Sequence, residues 1–260
     1  MKRILMVFAL VAVFSTPAWA SSFVNGGFES GTFAGWTQGS GFWNGTWPID
    51  PTLYRPGGSQ YNAGANASGI VTPGLDPNTG NQLNRVFAGN FSARINDDNN
   101  NNSISTIFQQ VLNYTDPDMF FEWAAVLESS HTSTDSDNFT LRLTDDTTHL
   151  TVLQRSYNSA DNGSIFNRYS SPFFGDIFWT PWQIEHIDIA GLGLQGHNFT
   201  LELLGSDCPY GGHWGYVYLD GFAAVVVPPG DGSTPEPATL VLLGTGLMGL
   251  AIRARKAIKK

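Results

Sequence analysis

Between Ser21 and Pro237 the sequence contains no lysine. Its basic residues there are six arginines: Arg55, Arg85, Arg94, Arg142, Arg155 and Arg168. All 22 acidic residues fall in the same stretch, so its net charge is −16, against −9 for the whole chain. Such a field repels other polyanions and excludes nucleic acid as a partner. It keeps a protein soluble and offers oxygen ligands to hard cations such as Ca²⁺. Cysteine is nearly absent too. Cys208 stands alone and cannot close an intrachain disulfide. Stability must come from a core, and roughly 200 residues are ample for one. Catalytic signatures are missing: no Ser-centred elbow, no HExxH, no phosphate loop. A glycosidase would need two carboxylates converging at ~5–10 Å, which spacing along a chain does not reveal. The five histidines (His131, His149, His186, His197 and His213) show no metal-ligand spacing. Cys208 follows Asp207, and a negative neighbour raises a thiol's pKa, against a nucleophile.

The two ends differ from the middle. Residues 1–20 read as a signal peptide: Lys2 and Arg3, an apolar run from Ile4 to Phe14, then Ala18-Trp19-Ala20 as a small-x-small cleavage site. The apolar run is too short for the ~20 residues of a spanning helix. Residues 229–234 are a linker by their Pro, Gly and Ser content. Then come Pro235-Glu236-Pro237, an apolar stretch at 238–252 and a basic end at 253–260. Fifteen residues make a helix of about 22 Å, marginal for a ~30 Å bilayer core. The basic cluster stays cytoplasmic by the positive-inside rule. A C-terminal transmembrane helix is expected, with the acidic domain outside.

The middle, 21–228, has the pattern of an all-β domain. "NFTLRLT" and "HNFTLELL" alternate apolar and polar, as half-buried strands do. Further strands are expected at "VFAG" with "FSARI", "ISTIFQQVL", "MFFEWAAVLE", "HLTVLQRS", "WQIEHIDI" and "WGYVYLDGFAAVVV". "LTDDTTHLTV" reads as a hairpin with Asp145 and Asp146 in its turn. Eight to ten such strands with polar turns predict an antiparallel β-sandwich. Residues 39–84 are rich in Gly, Pro and Asn and read as a loop-rich decoration on one edge, with room for short strands.

The C-terminal elements in this order resemble a PEP-CTERM sorting signal. The resemblance rests on Pro235-Glu236-Pro237, the Gly-containing apolar span and the closing Arg/Lys cluster. It implies a Gram-negative bacterium, recognition by the membrane protease-transpeptidase exosortase, a transient inner-membrane anchor and release to the cell surface or outside. A plain single-span anchor is the alternative.

The mature start, "SSFVNGGFESGTFAGW", resembles the opening of galactose-binding-like jelly rolls, which include many carbohydrate-binding modules. The matching residues are Asn25, Gly26, Gly27, Phe28, Glu29, Gly35 and Trp36. "GGHWGYVYLDGFAAV" resembles their closing strand, with Asp220 at its acidic position. The resemblance implies a structural Ca²⁺ held by Glu29 and Asp220, with the Asn25 turn contributing carbonyls. The other reading is that Glu29 caps a turn and Asp220 accepts backbone hydrogen bonds. Glycan binding needs exposed rings, and Trp43, Trp47, Tyr54, Trp179 and Trp182 in loop-rich segments are the candidates. A sandwich also buries such rings for packing. Three functions stay open: a noncatalytic component of an extracellular polysaccharide layer, a secreted carbohydrate-active enzyme, or a structural adhesin without glycan affinity.

Overall fold

The computed structural model describes residues 23–161 and 163–226. The signal segment, the linker and the sorting tail with its expected helix lie outside the described residues. Among the described residues twelve strands form two wholly antiparallel sheets. One sheet runs β1 (Thr37–Phe42), β4 (Ser103–Tyr114), β11 (His197–Ser206), β6 (Asn138–Asp145), β7 (Leu150–Asn158). The other runs β2 (Gly69–Val71), β3 (Ser92–Ile95), β12 (Gly215–Ala223), β5 (Asp118–Glu128), β9 (Gly175–Trp179), β8 (Asn167–Ser171). A seventh strand, β10 (Gln183–Asp188), shares an edge of β5 with β9. It pairs with the first half of β5 and β9 with its last three residues.

Period two decides which side chains meet between the sheets. β11 turns Phe199, Leu201 and Leu203 inward, β6 turns Phe139, Leu141 and Leu143, and β12 turns Val217 and Leu219. β5 supplies Met119, Phe121, Trp123, Ala125 and Leu127 to the same core. From Glu122 onward its alternate residues are buried as well, which explains the almost unbroken apolar run of "MFFEWAAVLE". Strands covered on both faces lose their alternation.

The covers come from residues 43–91. Trp43 and Tyr54 pack on Ile104 and Leu204, on the outer face of the five-stranded sheet. Leu83 packs with Ala124, Val126, Tyr216 and Tyr218 on the outer face of the other. The decoration expected at 39–84 is therefore no edge ornament. It holds the end of β1, all of β2 and three short 3-10 helices, Pro51–Tyr54, Ala63–Ala65 and Pro77–Thr79. Its apolar residues anchor a segment that lies over both sheets. "VFAG" is not a strand, because Phe87 and Ala88 give their N–H groups to the Asp220 carboxylate. β1, β8 and β9 were not expected from the pattern. The hairpin is present, but its turn is 146–149. Asp145 ends β6 and accepts from the Thr147 and Thr148 backbones, the Thr148 hydroxyl and His197.

A polar pocket on the open face of the five-stranded sheet

The segment 43–66 covers only part of the outer face of the five-stranded sheet. On the rest, register sets outward side chains in rows. Glu202 on β11 stands between Phe108 of β4 and Arg142 of β6, and Arg142 faces Gln154 of β7. The next row is Gln110, Thr200, Thr144 and Thr151. A one-residue register slip after Leu143 places Thr151, not Val152, opposite Thr144.

A third layer closes over the rows. Arg55, just past the first 3-10 helix, lies 4.2 Å over the Phe108 ring and donates to Glu202 through Nε and Nη2, both at 2.7 Å. Arg142 donates to the other Glu202 oxygen at 2.9 Å. Glu202 is 2% exposed, while the two guanidinium groups are partly exposed. Paired charges of this geometry are stronger and more directional than neutral hydrogen bonds. At the hairpin tip Asp146 accepts from Gln110 at 3.0 Å and Thr200 at 2.7 Å. The result is a cavity of about 310 Å³ framed by Arg55, Arg142, Glu202, Asp146, Thr200 and His149. It presents fixed N–H donors, hydroxyls and carboxylate oxygens, the groups that match sugar hydroxyls.

The rings chosen from sequence do not line this pocket. Trp43, Tyr54 and Trp179 are buried, so no sugar face reaches them. Trp47 is half-buried and tilts against Trp43 at 6.3 Å. Trp182 is half-buried, donates to the Asn84 carbonyl at 2.8 Å and packs on Phe87 and Tyr218. These rings fix the covering segments to the sheets. Among the described residues the strongly exposed rings are Phe173 (86%), at the β8–β9 tip, and Tyr210 (69%). The turn "SPFFGD" was the available signal for Phe173, because an apolar pair in a tight turn has no core to enter.

At the expected calcium junction, Asp220 Oδ2 accepts from Phe87 and Ala88 at 3.1 Å each, and Oδ1 from Gly221 at 2.8 Å. Glu29 accepts from the Asn90 and Phe91 backbones. Both carboxylates knit the 86–91 loop down. Asn25 is spent on its own loop: its carbonyl accepts from Phe28 and Trp36 Nε1, and its side chain bonds Ser30, Thr32 and Ala34. That makes Asn25 a loop anchor and a poor ligand. The residue missed from sequence is Glu122, which faces Asp220 across the β5–β12 ladder. It is fully buried and neither oxygen has a partner. Gly221 has φ +65°, and a Cβ there would fall 1.7 Å from Glu122 Oε2. Burial, then the Asp220 charge, push Glu122 up to about 8. Burial pushes Asp220 up to about 7 despite its backbone hydrogen bonds. An orphaned buried carboxylate beside a second one, with Glu29 near, is a donor set that fits a hard, oxygen-seeking cation.

Residues 233–256 match the model of the PEP-CTERM protein-sorting motif. The chain carries a PEP-CTERM sorting signal. That motif marks the protein for export and sorting to the cell surface. No curated protein matches the sequence. Among solved structures the chain is similar to the Caldicellulosiruptor saccharolyticus module CBM27-1 in complex with mannohexaose, at 13% identity and TM-score 0.38, covering 78% of this chain and 96% of that one. It is similar to TmCBM61 in complex with β-1,4-galactotriose, at 12% identity and TM-score 0.36, covering 76% and 97%. It is also similar to the enzymatically active domain of bacteriophage CBA120 tailspike protein 4, at 10% identity and TM-score 0.35, covering 79% of this chain and 21% of that one.

Proposed function

We propose that this PEP-CTERM protein is exported by its signal peptide, processed by exosortase, and displayed as a noncatalytic binder of extracellular polysaccharide. The observation that carries the binding reading is the Arg55–Glu202–Arg142 cluster on the open sheet face. Its donors are held in place by register and ion pairs, so little side-chain entropy is lost when a sugar docks. The same cluster speaks against hydrolysis. Both Glu202 oxygens are held by guanidinium groups, and the one pocket oxygen of Asp146 with described bonds already accepts two. Neither is placed as a free acid or base.

The proposal includes a structural Ca²⁺ at the junction, with Glu122 and Asp220 as ligands and Glu29 beside them. The ion would supply positive charge to an orphaned carboxylate and pin the first loop, the 86–91 loop and the β5–β12 ladder together.

Affinity electrophoresis through gels containing different polysaccharides tests the binding reading. The parent chain is expected to be retarded by at least one of them. Arg142→Ala should lower the affinity about tenfold, as the loss of ~1.4 kcal/mol does, without lowering the melting temperature by more than a few degrees. No new reducing ends should appear on incubation. Uniform mobility in every gel, or retardation unchanged by Arg142→Ala, contradicts the assignment.

A further inference from the structure

Where β5 and β11 end and β12 begins, three metal-ligating side chains meet. Cys208 Sγ lies 3.6 Å from His213 Nδ1. His131 arrives from the 129–137 loop, and one ligand atom from each residue falls within 4.8 Å of the others. We propose that Cys208, His213 and His131 bind a zinc-class divalent ion, leaving a fourth coordination position open to solvent.

The geometry suits that ion. Zn–S of ~2.3 Å and Zn–N of ~2.0–2.1 Å at the tetrahedral angle place sulfur and nitrogen ~3.6 Å apart. The Cys208–His213 edge already has that length. The backbone sets it. Cys208 N–H donates to the His213 carbonyl at 3.1 Å, and Gly211 N–H to the Cys208 carbonyl at 3.2 Å. Gly211 takes φ +69°, which lets the chain double back so that residues 208 and 213 face each other. The Gly212 N–H then points at Cys208 Sγ at 3.4 Å.

His131 is the movable member. It is exposed, so an ion has a route in, and an ångström of adjustment lies within a loop side chain's reach. Its ring stands edge-on to Tyr210 at 5.0 Å and to His213 at 4.8 Å. The Tyr210 hydroxyl bonds Asp135 at 3.3 Å and ties the two loops together. A buried acidic group lies near the cluster. Asp137, fully buried and within electrostatic reach of Cys208, has an oxygen, Oδ2, with no partner. A buried carboxylate oxygen without a donor is costly, and a positive ion nearby relieves it. One thiolate and two imidazoles select zinc-class metals over Ca²⁺, which takes oxygen ligands. The site is thus chemically separate from the Glu122 junction and stands without the glycan reading.

The test is Zn²⁺ titration of the reduced, metal-stripped, tag-free full chain against a chromophoric chelator, with Ca²⁺ saturating. One equivalent of zinc should bind. His131→Ala should weaken it at least tenfold, and Cys208→Ser on the order of a hundredfold. The His131 variant lies on an exposed loop and keeps the test open if Cys208→Ser fails to fold. Co²⁺ substituted into the parent should show a thiolate-to-metal charge-transfer band and tetrahedral d–d bands, both absent in Cys208→Ser. Zinc affinity unchanged by His131→Ala, or a cobalt spectrum without the thiolate band, overturns the proposal.

Discussion

In calcium-free buffer at pH 8, Glu122→Gln is expected to melt about 5 °C above the parent chain. The parent holds a buried carboxylate with no partner, facing Asp220. Its folded pKa of about 8 stands above the ordinary 4.5. The folded state therefore binds a proton that the unfolded state releases. Stability is highest at low pH and falls as pH rises from ~4.5 towards ~8. At ~1.4 kcal/mol per pKa unit the loss is on the order of 4 kcal/mol. Glutamine removes the charge but keeps a buried amide without partners, so about half of that is regained. A domain of this size gains ~2–4 °C per kcal/mol. Three other buried carboxylates, Asp220, Asp207 and Glu128, are each pushed up to about 7, chiefly by burial. The metal-free parent should therefore gain stability on acidification from pH 8 to 5.5, and Glu122→Gln should flatten that slope. Added Ca²⁺ should raise the parent's melting temperature at pH 8 and leave the variant unmoved. Scanning calorimetry of both chains with EDTA and with Ca²⁺ checks all of this. A variant that melts below the metal-free parent would show that Glu122 has a partner in the apo state.

The largest loss is expected from Asp76→Ala. Asp76 is 1% exposed and accepts from Tyr216 at 2.8 Å and Tyr218 at 3.0 Å. Its other oxygen caps the 3-10 helix Pro77–Thr79 through the Asn78 N–H. Alanine strands two buried phenols and uncaps the segment that covers the seven-stranded sheet. Unsatisfied buried groups at ~1–3 kcal/mol each and a lost cap at ~1 kcal/mol sum to about 4–5 kcal/mol. Asp76 itself is pushed up by burial, so part of the loss is offset at neutral pH. A fall of about 10 °C in melting temperature remains. Polysaccharide affinity below that temperature should not change, because the pocket lies on the other sheet. A fall under 2 °C would mean that the phenols find other partners.

Much of the fold was legible because alternation is local. Phe139-Leu141-Leu143 and Phe199-Leu201-Leu203 announce two core strands without knowledge of their partners. β8 and β9 were not legible, since "NRYSS" and "GDIFW" carry little alternation; β9 takes its ladder from β5, and β8 from β9. The rings failed for a related reason. Whether Trp43 faces solvent depends on Ile104 and Leu204, some sixty and 160 residues away, which the chain order does not place beneath it. The pocket is a product of register: Arg55, Arg142 and Glu202 become neighbours only once β4, β11 and β6 align. Asp220 was visible through its closing-strand pattern, but Glu122 sat hidden as one polar letter in an apolar strand. Cys208 and His213 stood in plain view in one loop, and only folding brought His131 to them.

The scarcity of basic residues supplies the most direct test of the polysaccharide pocket. The described residues hold only six arginines and no lysine, so arginine side-chain N–H signals give a sparse, assignable map. Oligosaccharides of a polysaccharide that retards the chain would be titrated while the Arg Nε–H resonances are followed by NMR. Saturable shifts at Arg55 and Arg142, with Arg155 and Arg168 unmoved, are the predicted result. Saturable binding that leaves Arg55 and Arg142 untouched would contradict it.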